Sequence, residues 1–135
     1  MEKIIRKGIA FEPRLLEQFD SLIRKKGYKN RSEAIRDIIR KELVEEDSTN
    51  PENNMAATLT IIYNHHEHNV QHELTHVQHH HPNLIRSSLH VHMDKDNCLE
   101  VLVLEGKVKK IKEMADNIIS MKGIKNGKLV LSSVR

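Results

Sequence analysis

The stretch "LHVHMDKDNCLEVLVLEG", residues 89–106, decides how the second half of this chain folds. Apolar residues alternate with others on both sides of the polar run "MDKDN", which is the pattern of two strands joined by a tight turn. His90 and His92 are two positions apart, so both side chains leave the same face of their strand. If the turn takes five residues, Cys98 lies opposite His92 and Glu100 lies opposite His90, with paired Cβ atoms about 4.5–5.5 Å apart.

Such a hairpin would bring two imidazoles and a thiolate together, with the carboxylate of Glu100 alongside to hold an imidazole N–H. This set of donors favours a metal site. The alternative is a polar strand face with a half-buried cysteine. Cys98 is the only cysteine of the chain, so no intrachain disulfide can form, which favours a reducing, cytoplasmic setting. The sequence also lacks a signal-like or membrane-length apolar run.

Around the hairpin, the expected elements follow the order β-α-β-β-α-β. "ATLTIIYN" (57–64) predicts the first strand, and a helix is expected from His65 to about His79. Apolar residues three and four apart predict a second helix over 106–121, and "KLVLSSV" predicts the last strand. This is the order of ferredoxin-like or ACT-like folds, so we expect a domain over residues 57–135 and an α+β chain overall.

Residues 1–45 form a separate, basic segment, with twelve Lys and Arg against eight Asp and Glu. A short extended stretch, "RKGIAF", precedes two amphipathic helices, the second opening at "NRSE". One copy has an unpaired strand and almost no core, so we expect an obligate dimer whose two strands pair, and such a ribbon fits the major groove of DNA. The polar run "EEDSTNPENNM" predicts a linker over residues 46–56.

All ten histidines lie between His65 and His92. Five of them are spaced three or four apart and predict one stripe on a helix, namely His65, His68, His72, His76 and His79. The alternative is a solvated polar face, or an interface that binds stray metal. Within the stripe, "HELTH" matches the zinc peptidase motif, in which Glu73 would be the general base. A peptidase also needs a third zinc ligand and a substrate cleft, and roughly 80 residues offer little scaffold for one.

Glu33 and Asp37 lie one turn apart near the start of the second helix. Carboxylates at this place complement the helix dipole, and Asp37 can pair with Lys41 at i,i+4. From these residues alone, capping and solubility are sufficient explanations.

With these residues described, the chain as a whole resembles the NikR type of nickel-responsive transcriptional repressors. "GYKNRSEAIRDIIR" (27–40) is similar to the second half of their ribbon-helix-helix domain. "QHHH" followed by "LHVHMDKDNCLEVLVLEG" is similar to their metal-binding domain. The HVH motif, with a cysteine six residues later and an upstream histidine, is highly specific, whereas other ribbon-helix-helix repressors share the NRSEAIRD run.

The resemblance implies a planar nickel site whose ligands from one chain are His90, His92 and Cys98. A planar N₃S set suits Ni(II) or Cu(II), whereas Zn(II) prefers a tetrahedron. The fourth ligand it implies is His79 of a neighbouring subunit. Residues that match family positions around the site are Tyr63, His65 and Glu100. Glu33 and Asp37 match carboxylates that the family uses for a potassium ion between domains.

The function implied is that of a repressor rather than an enzyme. Nickel binding at the interface of a homotetramer, a dimer of dimers, would promote binding to a double-stranded DNA operator. The residues expected to contact DNA are Arg6, Lys7, Gly8, Ala10, Asn30, Arg31 and Ser32. On the strand only Arg6 can donate to a base edge, with Lys7 beside it. The strand therefore offers few hydrogen bonds that distinguish one DNA base from another.

The remaining histidines exceed what the family pattern requires. Residues 66, 68, 72, 76, 80 and 81 are candidates for weaker outer metal sites. They also motivate a rival function, a nickel store or chaperone, in which the histidine-rich helix buffers nickel and the basic segment only dimerises.

Overall fold

The structure is a computed structural model that describes residues 1–67 and 69–134. Its helices are α1 (Pro13–Lys25), α2 (Arg31–Thr49), α3 (Val70–His80) and α4 (Val108–Ile119), and its strands are β1 (Asn54–Asn64), β2 (Ile85–His92), β3 (Asn97–Lys107) and β4 (Ile124–Ser132). The chain divides into two compact units, Met1–Glu42 and Leu43–Arg135. In the described part of the chain, no helix has the length and apolar character that crossing a bilayer requires.

The first unit contains two helices whose ends follow local chemistry. Pro13 begins α1, where its missing N–H costs no hydrogen bond. Gly27 ends the helix at φ +82°, a left-handed conformation that glycine adopts without strain. The side-chain oxygen of Asn30 accepts a 2.9 Å hydrogen bond from the backbone N–H of Glu33 and so caps α2, as the sequence predicts.

This unit buries very little by itself. Ile23 and Ala34 are its only buried apolar residues among those described, whereas several large apolar side chains are exposed, namely Ile5, Ile9, Leu22, Ile38 and Ile39. Residues 1–12 form neither helix nor strand in this single chain. A strand is defined by its partner, so the ribbon expected there requires a second copy, which would also cover the apolar surface.

The second unit is a four-stranded antiparallel sheet in the order β2-β3-β1-β4. On β1 every second residue from Met55 to Tyr63 is buried, and β3 alternates in the same way. Helices α3 and α4 pack on that face through apolar side chains such as Leu74, Ile111 and Met114. The ferredoxin-like βαββαβ order is therefore confirmed, and with the first unit the chain is α+β.

The opposite face of the sheet is apolar but open in the single chain. Strand register places Leu89 beside Val101 and Val103 beside Thr58 on this face, with Val130 one strand further. Leu89 is 61% exposed and Val130 is 55% exposed. An apolar sheet face of this kind is typical of a protein–protein contact.

The stretch predicted as a linker, 46–56, has less irregular structure than expected. Its first four residues continue α2 to Thr49, and β1 begins at Asn54. The residues between them are held by hydrogen bonds to α4. The backbone N–H groups in the first turn of α4 have no partner within the helix and need acceptors elsewhere. The carbonyls of Asn53 and Pro51 accept from the N–H groups of residues 108 and 109, at 2.9 and 3.0 Å. The domain bounds expected from the sequence stay a prediction.

The helix predicted to start at His65 starts at Val70 instead, so that prediction was wrong at its beginning. His65 and His66 lie in a turn, and Asn69, at φ +54°, precedes the helix in a left-handed conformation that asparagine tolerates. His68 of the predicted stripe lies outside the described residues. The stripe therefore does not extend to His65, which becomes available to the hairpin.

Candidate metal centre

The β2–β3 hairpin has the register that its loop length predicts. His92 pairs with Cys98 and His90 pairs with Glu100. On the other side of β3, Cys98 pairs with Tyr63 of β1. Because paired residues share a face, the cysteine lies in a row between an imidazole and a phenol, on the face that carries the helices.

The sulfur of Cys98 lies close to two imidazole nitrogens. Its Sγ is 3.3 Å from His65 Nδ1 and 3.4 Å from His92 Nδ1. Within the described residues these three side chains form one group whose candidate ligand atoms all lie within 4.8 Å of one another. Two imidazole nitrogens and a sulfur at this spacing fit a first-row transition metal such as nickel, copper or zinc.

The position of His65 comes from the turn that follows β1. Its backbone N–H donates to the carbonyl of Asp96 in the hairpin loop at 3.1 Å. The side-chain oxygen of Asn64 accepts from the N–H of His66 at 2.9 Å, which is an Asx turn. Sequence reasoning placed His65 around the site but not against the sulfur, because it assumed a helix at this point.

His90 lies next to the cluster without joining it. Its ring is 5.1 Å from that of His92 and 6.1 Å from that of Tyr63, between centroids. Both hairpin histidines are exposed in the single chain, since β2 is an edge strand that the helices leave open. The histidine-bearing edge of the hairpin is therefore accessible to another protein surface.

Glu100 is the buried carboxylate opposite His90, and it ties three elements together. The hydroxyl of Tyr63 donates to its Oε1 at 3.1 Å, and the amide of Gln78 donates to its Oε2 at 3.4 Å. Burial and the charge of Glu100 raise the pKa of Tyr63, so the phenol stays protonated and remains a donor. Gln78 is a site residue that was not predicted from the sequence, although its place next to His79 near the end of α3 is a usable signal.

The hairpin loop is fixed by one carboxylate. Asp94 Oδ1 accepts from the backbone N–H groups of Asp96 and Asn97, at 2.9 and 2.8 Å. The side-chain amide of Asn97 also donates to Asp94, and together these bonds lower the pKa of Asp94 to about 2. The loop therefore keeps its shape across the physiological pH range, and with it the register of His92 and Cys98.

The metal-free sulfur is held as a thiol. Cys98 is fully buried, and burial raises the pKa of its thiol. The carboxylates of Glu100 and Asp94 raise this pKa further. A metal at this site would have to displace the thiol proton, because the thiolate is the ligand.

His79 is exposed on the last turn of α3 and does not belong to the cluster of its own chain. Among the described residues, the "HELTH" histidines acquire no third ligand: His72 and His76 are part of no larger group, and His76 contacts His80 instead. The described residues therefore do not provide the peptidase alternative with a complete set of zinc ligands.

In the first unit, Asp37 behaves as its spacing predicts. Its carboxylate accepts a hydrogen bond from the hydroxyl of Tyr28 and pairs with Lys41 at 3.1 Å. These contacts, Tyr28 first, lower the pKa of Asp37. The hydrogen bond from Tyr28 and the pairing with Lys41 thus account for this carboxylate, and the potassium role of Glu33 and Asp37 stays a prediction.

The residues expected to contact DNA are all exposed. Arg31 is the one with a strong internal partner: its Nε and Nη2 donate to the two carboxylate oxygens of Asp20, at 2.8 and 2.7 Å. This bidentate pair lowers the pKa of Asp20 and connects α1 with the start of α2.

Comparison with known proteins agrees with this architecture. Residues 56–132 match the family model of the NikR C-terminal nickel-binding domain, and residues 9–46 match the CopG-type ribbon-helix-helix model. A relative from Geobacter metallireducens is 50% identical over 133 residues, covering 98% of this chain and 96% of its own. Relatives from Thermococcus kodakarensis and Pyrococcus furiosus are each 51% identical over 130 residues, covering 96% of this chain and 94% of theirs. All three carry the name of a nickel-responsive regulator.

Fold and site together define a class, a ribbon-helix-helix protein joined to a ferredoxin-like domain with an imidazole–thiol cluster on its hairpin. The family models and the full-length relatives are specific to one such group. This chain belongs to the NikR family of nickel-responsive regulators.

Proposed function

We propose that this protein is a nickel-dependent DNA-binding repressor. The observation that carries the proposal is the hairpin register, which brings the sulfur of Cys98 within 3.4 Å of an imidazole nitrogen of His92 beside an open edge strand. The similarity of the whole chain to nickel-responsive regulators supports nickel as the metal.

The proposed ligands from one chain are His90, His92 and Cys98. The exposed His90 ring leaves the same strand face as His92, so it can turn toward the same ion. The fourth ligand is His79 of a second copy, whose place on the last turn of α3 suits a contact between copies. A thiolate with imidazoles provides a nickel site of high affinity, with selectivity set by geometry.

A second ligand set lies within one chain and consists of His65, His92 and Cys98. It would complete three ligands without any partner. The two sets are distinguished by substitution, since His79→Ala weakens nickel binding only in the first and His65→Ala mainly in the second.

Glu100 and Tyr63 support the first set. Glu100 lies opposite His90 and can accept the N–H of its imidazole, which would orient the ring toward the metal. Tyr63 holds Glu100 by a hydrogen bond. Loss of such an orienting carboxylate typically weakens metal binding about 10–100-fold.

The proposed assembly is a tetramer with a ribbon-helix-helix dimer at each end. The exposed apolar residues of the first unit require a partner for folding. The open apolar face of the sheet offers a second, independent contact, which would place the C-terminal domains together.

Nickel binding by the hairpin of one copy and His79 of another would link two chains and favour one arrangement of the tetramer. Both ribbon-helix-helix dimers would then meet two DNA half-sites together, which raises affinity through effective concentration. This gain needs no new contact to DNA.

The DNA contact would use Arg6, Lys7, Gly8 and Ala10 on the paired strands, and the start of α2 for a phosphate. The N–H groups near Asn30 and Ser32 suit an anion, and Arg31 is fixed beside them by Asp20. Affinity should fall steeply with salt, as expected for phosphate contacts.

The test is a gel shift with DNA selected from a random pool by the nickel-loaded protein. We expect a shift that requires Ni(II) and is lost in His90→Ala and Cys98→Ala. His72→Ala, which removes an exposed histidine of α3, is the matched control and should behave as wild type. Specific binding of full strength without metal would refute the proposal.

The density of histidines favours the rival function, a nickel store or chaperone. Such a protein would bind several ions per chain weakly and prefer no DNA sequence. Equilibrium dialysis, carried out beside a DNA-binding assay titrated with salt, separates the two functions.

A further inference from the structure

Two histidines that the hairpin site does not use face each other on the outer surface of α3. His76 and His80 are separated by one helical turn, and their Nε2 atoms are 3.1 Å apart. Their rings are 4.5 Å apart and nearly perpendicular. Both side chains are exposed, so the space around the two nitrogens is open to solvent.

We propose that His76 and His80 form a second metal site for a divalent first-row transition ion, separate from the hairpin. A metal held at the usual 2.0–2.1 Å from each nitrogen would subtend an angle of about 100° between them at this separation. That angle lies between the values for planar and tetrahedral coordination, so the separation of the two nitrogens suits chelation of one ion. The helix fixes the spacing in advance, which reduces the entropy lost on binding.

This site differs chemically from the hairpin. It has two neutral nitrogen donors and no sulfur, and no third His, Cys, Asp or Glu of the described residues completes a group with it. Water would fill the remaining positions. The site should therefore bind nickel, copper or zinc more weakly than the hairpin, and it should give no thiolate absorption.

The position of the pair gives the site a structural consequence. The chelate would span the last turn of α3, where helices fray, and the backbone leaves the helical conformation at His81. The turn it closes contains His79 and Gln78, and Gln78 donates to Glu100. Metal at the outer pair would hold this turn in its helical form.

The experiment is equilibrium dialysis of the full chain against Ni(II) alone, at concentrations that exceed saturation of the hairpin. We expect His76→Gln and His80→Gln each to bind one ion fewer per chain than wild type. His81→Gln, which removes the adjacent histidine outside the helix, should bind as many ions as wild type. In chains that carry Cys98→Ser, metal should also slow amide exchange in the last turn of α3, and this effect should be lost when the same chains carry His76→Gln.

The same difference of one ion should persist in chains that also carry Cys98→Ser, so the result does not depend on the hairpin site or on the proposed function. Equal numbers of bound ions in wild type, His76→Gln and His80→Gln would overturn the proposal. Loss of the same ion in His81→Gln would overturn it as well.

Discussion

At Cys98, burial and nearby carboxylates disfavour the thiolate, which is the form of the side chain that binds metal. The pKa of the thiol is raised above its ordinary value, which already lies above neutrality, so the metal-free protein holds the proton. Nickel must release it, and the apparent affinity should therefore rise with pH, by up to about tenfold per pH unit for each proton released. Titrations at pH 6, 7 and 8 would measure this, with Cys98→Ser expected to show a shallower dependence. An equal slope in both proteins would contradict this account.

A second interaction between individual residues of the site is the hydrogen bond from Tyr63 to Glu100. Tyr63→Phe removes a donor to a buried carboxylate, and we expect the free energy of unfolding to fall by about 1–3 kcal/mol. Urea unfolding at fixed protein concentration measures this change. The half-exposed Tyr28 provides the control, since Tyr28→Phe should cost less because water replaces its partner. Equal costs for the two substitutions would show that Glu100 does not need the phenol.

At this scale the sequence predicted the hairpin partners correctly, because strand periodicity and loop length alone fix which residues face each other. It could not predict that His65 approaches the sulfur. That contact depends on the local Asx turn at Asn64 and on the hydrogen bond from His65 to Asp96, a residue distant in the sequence.

At the scale of elements, α1 and α2 present an apolar surface that the single chain leaves exposed and that the proposed dimer would cover. Ile38 is 48% exposed in the single chain although it belongs to the apolar face of α2. Ile38→Glu would place a charge in that contact, so we expect loss of the dimer and of DNA binding, with the nickel–thiolate absorption retained. Sedimentation and a gel shift measure the two effects.

The control for Ile38→Glu is Gln18→Glu, which adds the same charge at an exposed polar position of α1. It should leave the dimer intact. A dimer that tolerates Ile38→Glu would mean that α2 packs against its partner through another face.

The order of elements was predictable, whereas two boundaries were not. The βαββαβ order follows from hydrophobic periodicity, which the packed sheet confirms. Helix α3 starts later than predicted because the left-handed Asn69 interrupts the histidine run. Helix α2 ends later, at Thr49, where the hydroxyls of Ser48 and Thr49 donate to the backbone carbonyls of Glu45 and Glu46. The segment that follows is bound by α4.

At the scale of the whole molecule, each unit of the single chain leaves apolar surface uncovered, so assembly is part of the account. No sequence pattern states which copy supplies a ligand to which site. The proposal that His79 of one copy completes the hairpin of another is therefore the claim on which the regulatory role depends, because a site within one chain could not sense or fix the arrangement of subunits.

The most direct measurement is nickel binding by chains mixed during refolding, one carrying His79→Ala and the other Cys98→Ala. The free nickel concentration is chosen to saturate wild type but neither variant alone. If the site lies between copies, an intact His79 meets an intact hairpin in mixed assemblies, and tight binding should return to about a quarter of the wild-type level for random mixing. If the mixture binds no more nickel than the two variants separately, the site does not lie between subunits and the account is contradicted.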